Sequence, residues 1–302
     1  MADWFEGFET RRVGVDSAGG VEIFARLGGT AGKPPLLLLH GFPQSHVLWR
    51  RVALLLADRF QLVLADLRGY GDSSKPAGES DHANYSKRVM AADMAALMRT
   101  LGHERYFVCG HDRGGRVAHR LAIDHAGAVQ KLCLIDIAPT LDMYNATDLR
   151  FATAYYHWFH LIQPCPIPER MIGGDAAFYL RAKLGGWGSR GTAFMEDAAL
   201  AEYERCFCNA AAIHAACEDY RASAGIDLEH DRASRRAGQK IACDTLVLWG
   251  ERGVVHALFD PLRLWQAQCA ATVSGTAMPA GHYIAEEMPD AAAQALAAFF
   301  LP

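Results

Sequence analysis

The 302-residue chain lacks several features that would place it in a specialised class of protein. No run of basic residues indicates a surface for nucleic acid or an anionic membrane, and the net charge is −4. The longest aliphatic run, the leucines at 36–39, is far too short to span a bilayer. The N-terminal stretch MADWFEGFET has neither the basic nor the apolar region of a signal peptide. We therefore expect a cytoplasmic protein that binds neither nucleic acid nor membrane.

The cysteines are equally uninformative about a metal or disulfide framework. There are 8 of them, and they form no C-x-x-C pair and no zinc-ligand spacing. We expect them to be reduced and buried, and we predict no metal site. The composition, 51% hydrophobic and 21% charged, is that of an ordinary globular protein with enough apolar material for a large core.

Short apolar segments predict buried strands, and helix-like stretches at 85–102 and 114–127 separate the later ones. Alternation of this kind predicts an α/β fold with a mostly parallel sheet flanked by helices on both faces. The final stretch, DAAAQALAAFFLP, predicts a closing helix. The predicted strands are GVEIFARLG, PLLLLHG, FQLVLAD, YFVCG, KLCLIDI and DTLVLWG.

The segment 140–235 has a different character from the rest of the chain. It contains no convincing strand, and helix-like stretches rich in alanine and aromatic residues dominate it. We interpret it as a helical cap inserted between two parts of an α/β core, residues 1–139 and 236–302. The gap between the strands at 131–137 and 244–249 is too long for a single crossover. The alternative is that these helices belong to the main domain.

The stretch GHDRGG has the pattern of a strand, a tight turn and a helix, with Gly110 and Gly114 framing the turn. Many hydrolases carry G-x-S-x-G here, but Asp112 occupies the serine position. A carboxylate suits displacement at a saturated carbon that bears a leaving group, and the product is an ester of the carboxylate itself. His282 is the candidate base for hydrolysing that ester. The competing interpretation is that Asp112 only caps the following helix.

A catalytic histidine needs a third group to hold its tautomer and orientation. In hydrolases with this motif order, the acid usually lies in the loop after the later strand, here DTLVLWG, but that loop has no aspartate at the expected position. We therefore predict that the acid is Asp136, which follows the strand KLCLI. Glu251 and Asp260 are the reserve candidates. The backbone N–H groups of Phe42 and Arg113 are predicted to form the oxyanion hole. Such a mechanism requires no metal and no cofactor.

Two arginines distinguish this site from that of an enzyme with a neutral substrate. Arg113 follows the nucleophile, and Arg116 lies four residues beyond Asp112, on the same helix face. Two guanidinium groups beside a catalytic carboxylate predict an anionic substrate whose own carboxylate is held by bidentate contact. The competing interpretation is that the arginines only pair with surface carboxylates.

Three hydrogen-bond donors in the helical segment could serve a leaving group. His157, Trp158 and Tyr220 supply an imidazole N–H, an indole N–H and a phenol O–H. If they converge, they suit a halide, and fluoride needs them most because it loses very strong hydration in a dry pocket. Taken singly, each is more often a core or interface aromatic residue.

The motifs LHGFPQS, DLRGYGDSSKP, GHDRGGR, IDIAP and PAGHYIAEEMPD, in this order, resemble the α/β-hydrolase superfamily over nearly the whole chain. The adjacent His157 and Trp158, together with an acid after KLCLI instead of after DTLVLWG, make the chain resemble the fluoroacetate (haloacetate) dehalogenases in particular. That resemblance implies hydrolysis of fluoroacetate to glycolate and fluoride, and a homodimer. It also implies the residue roles given above, with Trp187 as a tryptophan that narrows the pocket.

Other functions stay open. A dehalogenase that prefers chloroacetate or longer 2-haloacids would differ in pocket volume. A non-catalytic small-molecule receptor on this fold would not need the Asp112–His282 pair, yet both residues are present. An epoxide hydrolase uses the same aspartate chemistry on a neutral substrate, against which the arginine pair argues. It would need two tyrosines from the cap, where the candidates are Tyr155, Tyr156, Tyr179, Tyr203 and Tyr220.

Overall fold

A computed structural model describes residues 4–15 and 20–301, and its centre is an 8-stranded sheet. The strands are β1 (Glu9–Gly14), β2 (Glu22–Gly29), β3 (Pro35–Leu39), β4 (Gln61–Ala65), β5 (Tyr106–His111), β6 (Val129–Ile135), β7 (Asp244–Gly250) and β8 (Val273–Met278). Their order in the sheet is β1-β2-β4-β3-β5-β6-β7-β8. The β1–β2 and β2–β4 pairs are antiparallel and the other pairs are parallel, so the predicted mostly parallel sheet is confirmed.

Helices cover the sheet and fill the segment between β6 and β7. Short 3₁₀ helices at His46–Trp49 and Ala83–Tyr85 precede two of the α-helices. The α-helices are α1 (Arg50–Leu56), α2 (Lys87–Thr100), α3 (Arg113–Asp124), α4 (Thr140–Asn145), α5 (Leu149–Ala154), α6 (Tyr156–Leu161), α7 (Ile167–Gly174), α8 (Ala176–Leu184), α9 (Asp197–Phe207), α10 (Ala210–Ala224), α11 (Ile226–Arg236), α12 (Val254–Leu258), α13 (Pro261–Gln268), α14 (Ile284–Glu287) and α15 (Pro289–Phe300).

The central strands read as apolar runs because both of their faces are covered. In β3, the leucines that follow Pro35 are all fully buried. All six predicted strands are present, whereas the edge strands β1 and β8 were not predicted. Their sequences, ETRRVG and VSGTAM, are polar or small and largely exposed, as an edge strand with one neighbour allows.

The segment between β6 and β7 holds α4 to α11 and, within the described residues, no strand. Two helix-like stretches of the sequence, DLRFATAYYHWFHLI and ALAEYERCFCNAAAIHAACEDYRAS, each form more than one helix. One breaks at Tyr155, and the other breaks before Asn209, whose side chain accepts a hydrogen bond from the Ala212 N–H at 2.9 Å and starts a new helix. The division into a core of 1–139 and 236–302 and a cap of 140–235 stays a prediction. In the described chain, every helix is too short or too polar to cross a membrane.

All the cysteines are free, but the expectation that they are buried is wrong for three of them, since Cys243 is only half-buried and two others are exposed. Cys165 and Cys208 are exposed because they lie at helix boundaries in the segment between β6 and β7. Cys165 also lies in a group with Glu169 and His214 whose ligand atoms are within 4.8 Å of one another. The Glu169 carboxylate there is already paired with Arg221 at 2.7 Å, which neutralises its charge.

Candidate active site

Asp112 stands at the sharp turn between β5 and α3. Its φ of 47° and ψ of −114° are a strained backbone conformation for a residue other than glycine. It occupies the N-cap position of α3, yet among the described residues its side chain accepts no capping hydrogen bond. Its Oδ1 instead accepts a hydrogen bond from the Phe42 N–H at 3.0 Å. The carboxylate is therefore aimed away from the helix and toward the loop after β3.

Two glycines make this turn possible. A Cβ atom at Gly41 would lie 2.5 Å from the Cβ of Asp112, and one at Gly114 would lie 2.3 Å from the His40 carbonyl oxygen. Both distances are far below van der Waals contact, so any side chain at either place would displace the turn. The glycines bring the backbone of the β3 loop against the carboxylate and let its N–H reach Oδ1.

His282 and Asp136 form the hydrogen bond that a catalytic base requires. The distance from His282 Nδ1 to Asp136 Oδ2 is 2.5 Å. A carboxylate accepts, so Nδ1 carries the proton and Nε2 carries the lone pair. Nε2 is buried, and no hydrogen-bond partner is found for it within the described chain. The other oxygen of Asp136 accepts from the Gly250 N–H at 2.9 Å, which fixes the carboxylate.

The reserve acids lie elsewhere. Asp260 caps α13 by accepting from the Arg263 N–H at 3.1 Å, and Glu251 is exposed. The structure thus places Asp136, and neither reserve candidate, against the histidine.

The charges around the pair favour an ionised nucleophile. Burial alone would raise the pKa of Asp112, but the charges of His282 and both neighbouring arginines offset it and lower that pKa. Burial opposes protonation of His282, but the hydrogen bond and charge of Asp136, with a smaller contribution from Asp112, raise its pKa above the usual 6.5. The site therefore holds a carboxylate beside a basic imidazole.

His111 is a supporting residue that the sequence analysis missed. Its Nε2 donates to the His282 carbonyl oxygen at 2.9 Å, and the ring centroids of the two histidines are 4.5 Å apart. Burial, and then the neighbouring His282, lower its pKa to about 3, so it is neutral. Its position within GHDRGG, at the last residue of β5, was the available signal. It holds the backbone of the base rather than a reacting atom.

The Nε and Nη2 edge of Arg113, which could make a bidentate contact with a substrate, is already occupied by another carboxylate. Nε donates to Asp219 Oδ2 and Nη2 donates to Asp219 Oδ1, each at 2.8 Å. Both side chains are fully buried, so this is not the surface pairing considered above. Nη1 is buried, and no hydrogen-bond partner for it exists in the described part of the chain. That nitrogen is what Arg113 can offer to a ligand.

Arg116 is held by neutral groups. Its Nη1 donates to Thr140 Oγ1 at 2.7 Å, and its Nη2 lies 3.3 Å from the sulfur of Met143. It is 3% exposed and forms no ion pair within residues 4–15 and 20–301, while its Nε is buried without a partner there. Burial, and then the charge of Arg113, lower its pKa. A buried cation without a counter-charge is costly, and an anionic ligand would offset that cost.

The three predicted halide donors lie together with both arginines. The ring of Tyr220 is 5.7 Å from that of His157 and 6.4 Å from that of Trp158. The guanidinium of Arg113 lies 4.2 Å from the centre of the Tyr220 ring, and that of Arg116 lies 4.8 Å from the Trp158 ring. Burial lowers the pKa of His157 and raises that of Tyr220. Both are therefore neutral at pH 7, and each keeps one donor hydrogen.

The catalytic groups line a very small cavity. Its volume is about 10 Å³, enough for about one water molecule. The ring of Trp187 is 4.9 Å from that of His157 and 5.0 Å from that of His282, so it forms one wall. The main-chain carbonyl of Trp187 also accepts from the His282 N–H at 3.2 Å. The lining residues are Asp112, Asp136, Tyr155, His157, Trp187, Val254 and His282.

Comparison with known proteins places this geometry in a family. A family model of the alpha/beta hydrolase fold matches residues 34–289. The chain is 46% identical to a fluoroacetate dehalogenase of Burkholderia sp over 98% of this chain and 94% of that protein. The chain belongs to the fluoroacetate dehalogenase family of α/β hydrolases. The resemblance inferred from the sequence motifs is thereby confirmed.

Further relatives of this α/β hydrolase include a protein that is named for a different substrate, an epoxide. The chain is 32% identical to a soluble epoxide hydrolase of Corynebacterium sp. (strain C12) over 90% of this chain and 92% of that protein. A solved structure from Nostoc sp PCC 7120, assigned to the alpha/beta hydrolases, superposes with a TM-score of 0.94 at 51% identity, covering 98% of this chain and 99% of that one. The fold and the hydrolase class are common to these proteins, so the substrate must be argued from the site.

Proposed function

We propose that this α/β hydrolase is a haloacetate dehalogenase that converts fluoroacetate to glycolate and fluoride. The observation that carries the proposal is Arg116, a buried guanidinium without an ion pair in the described chain, on the helix that Asp112 begins. A substrate carboxylate would supply the missing counter-charge, whereas a neutral substrate would leave the cation unpaired. The free Nη1 of Arg113 adds a second charged donor.

In the first step, Asp112 displaces the halide. Oδ1 is held by the Phe42 N–H, so the other oxygen attacks the substrate carbon next to the carboxylate. A carbon–oxygen bond forms, the carbon–halogen bond breaks, and the halide leaves with the electron pair. The leaving halide accepts hydrogen bonds from the donors of His157, Trp158 and Tyr220, which are neutral and therefore keep their protons.

In the second step, water hydrolyses the Asp112 ester. His282 Nε2 takes a proton from water, and the hydroxide oxygen bonds to the ester carbonyl carbon. The oxyanion develops on Oδ1, where the Phe42 N–H already points, with the Arg113 N–H as the second proposed donor. Collapse breaks the bond between the Asp112 carboxyl carbon and the glycolate oxygen, and that oxygen takes the proton back from His282. The second proton of the water is then lost from the Asp112 carboxyl group to solvent through His282, which restores the carboxylate.

The tight packing of Trp187 against His157 and His282 supports a short substrate with a small leaving group. Fluoride is also the halide that loses most on desolvation, so three neutral donors benefit it most.

The test is halide release from fluoroacetate, chloroacetate and 2-chloropropionate by purified protein, measured with ion-selective electrodes. We expect fluoride release at least as fast as chloride release, and little activity on 2-chloropropionate. Asp112→Asn is the control for background hydrolysis. Absence of halide release from all three acids would overturn the proposed function.

Epoxide hydrolysis is the second candidate, and one observation favours it. Tyr155 lines the cavity and Tyr220 is buried beside it, so two tyrosines could donate to an epoxide oxygen. Burial raises the pKa of both hydroxyls, which keeps them protonated. Diol formation from styrene oxide, without halide release from the acids, would select this function instead.

Three further expectations accompany the proposed function. We propose a small anionic haloacid as the only ligand, with neither nucleic acid nor membrane as partner. We propose a homodimer and a cytoplasmic location. Light scattering of the purified protein tests the dimer, and cell fractionation tests the location.

A further inference from the structure

Asp219 lies in α10 at the centre of a buried charged cluster, which connects this helix to Lys87 on α2 and Arg113 on α3. Its Oδ2 accepts from Arg113 Nε at 2.8 Å and from the Tyr70 hydroxyl at 2.6 Å. Its Oδ1 accepts from Arg113 Nη2 at 2.8 Å and from Lys87 Nζ. Desolvation cancels much of the stability that a buried ion pair provides, so stability alone does not account for this cluster.

The cluster determines which donors of Arg113 remain. Besides the Asp219 carboxylate, Nη2 donates to the Asp219 carbonyl oxygen at 2.9 Å and to Ser223 Oγ at 2.5 Å. These contacts use the Nε and Nη2 edge of the planar fork. Nη1 is left buried and without a partner in the described chain. The guanidinium cannot rotate to present another edge without breaking all of these bonds.

Without Asp219, Arg113 would have another anion nearby. Arg113 directly follows the nucleophile, and its charge already acts on the Asp112 carboxylate. A guanidinium that paired with Asp112 would hold the attacking oxygen and remove the donor intended for the substrate. Lys87 and Tyr70 reinforce Asp219, since both donate to its carboxylate.

We propose, relying on the proposed function for the identity of the substrate, that Asp219 is a positioning residue. It holds Arg113 away from Asp112 and presents Nη1 to the substrate carboxylate. Specificity for an anionic substrate thus depends on an acidic residue that never touches the substrate. The charge of Asp219 alone would weaken the binding of an anionic substrate, because a nearby carboxylate repels anions. Its proposed effect through Arg113 strengthens that binding.

The test is acetate binding to Asp219→Asn, measured by isothermal titration calorimetry, together with KM and kcat for chloroacetate. Acetate carries the carboxylate but no leaving group, so it reports the clamp without chemistry. Loss of charge-assisted contacts predicts that the Kd of acetate rises about tenfold or more, with a rise in KM and a fall in kcat. If Asp219 only balanced charge, acetate would bind more tightly and kcat would not change, which would overturn the inference.

Two further variants separate positioning from general damage. Tyr70→Phe removes one hydrogen bond to Asp219 without touching Arg113, and we expect a smaller shift in the acetate Kd than Asp219→Asn gives. In an Arg113→Leu background, Asp219→Asn should add no further loss of acetate affinity, because Asp219 acts through Arg113. A full additional loss would contradict this role.

If Asp219→Asn does not fold, Asp219→Glu keeps the charge and moves the carboxylate by one methylene. We then expect an intermediate loss of acetate affinity, and unchanged affinity would overturn the inference. Acetate binding also separates this inference from the proposed function. A protein that releases no halide, yet loses more acetate affinity in Asp219→Asn than in Tyr70→Phe, would refute the dehalogenase assignment and retain the clamp.

Discussion

The proposed catalytic residues and the proposed halide donors come from different parts of the molecule. Asp112 and Asp136 stand at the carboxyl ends of β5 and β6, which pair in parallel, and His282 follows β8. The proposed halide donors, such as Trp158 and Tyr220, lie on α6 and α10, in the segment between β6 and β7. Strand register fixes the first set, and helix packing fixes the second. Changes in the first set should stop every reaction, whereas changes in the second should alter the choice of substrate.

The largest effects are expected from substitutions of the proposed catalytic residues. Asp112→Asn should lower kcat for fluoroacetate by about 10⁴-fold or more, because the attacking carboxylate is gone. His282→Asn should lower kcat to a similar extent but at a different step. It should accumulate a carboxymethyl ester on Asp112, seen as a mass increase of the intact protein. Equal accumulation of ester in both variants would contradict the assigned order of steps.

Replacing either arginine should lower activity to a similar extent, but the two replacements should differ in their effect on the stability of the protein. Arg113→Leu and Arg116→Leu should each lower kcat/KM for fluoroacetate by about 10- to 100-fold, because each loses a charge-assisted contact. Arg113→Leu also removes one of the two cations paired with the buried Asp219, so the free energy of unfolding should fall by about 1–3 kcal/mol. Arg116→Leu removes a cation without an ion pair in the described chain and should not lower it. Urea denaturation measures both, and equal destabilisation would contradict the difference between the two residues.

The pH dependence of the hydrolysis step tests the Asp136–His282 pair. His282 must be neutral to accept a proton, and its pKa is raised above 6.5, so kcat should fall as the pH drops through that raised pKa. Esterification removes the charge of Asp112, but the larger effect of Asp136 remains. Asp136→Asn should move the acid limb to lower pH while kcat also falls. A limb that does not move would show that another group titrates.

The smallest effect is expected at one halide donor. Trp158→Phe keeps the ring but removes the N–H, so fluoride release should fall by about tenfold or less, and chloride release should fall by a smaller factor. Trp4→Phe is a matched control, because the indole N–H of Trp4 donates to Glu196 at 3.0 Å, away from the cavity. An equal loss with both halides would show that Trp158 shapes the pocket without selecting fluoride.

The two regions also differ in how far the sequence predicts them. Asp112 and Asp136 were predicted because each follows a recognisable strand, and parallel strands bring their carboxyl ends to one edge. His282 was predicted because it lies in the motif PAGHYIAEEMPD. The partner of Arg113 was not predicted. Asp219 precedes Tyr220 in CEDYRAS, but only the tertiary structure, which places α10 within side-chain reach of the start of α3, brings it to the guanidinium. Edge strands β1 and β8 were missed because exposure leaves them without an apolar pattern.

The most direct test of the account is a single turnover of fluoroacetate in water labelled with heavy oxygen, followed by mass spectrometry of the peptide that contains Asp112. If water attacks the Asp112 ester, the label enters the Asp112 carboxylate and the first glycolate is unlabelled. If water attacks the substrate carbon directly, the label appears in glycolate and Asp112 stays unlabelled. We expect the label in Asp112, and label in the first glycolate would contradict nucleophilic attack by Asp112.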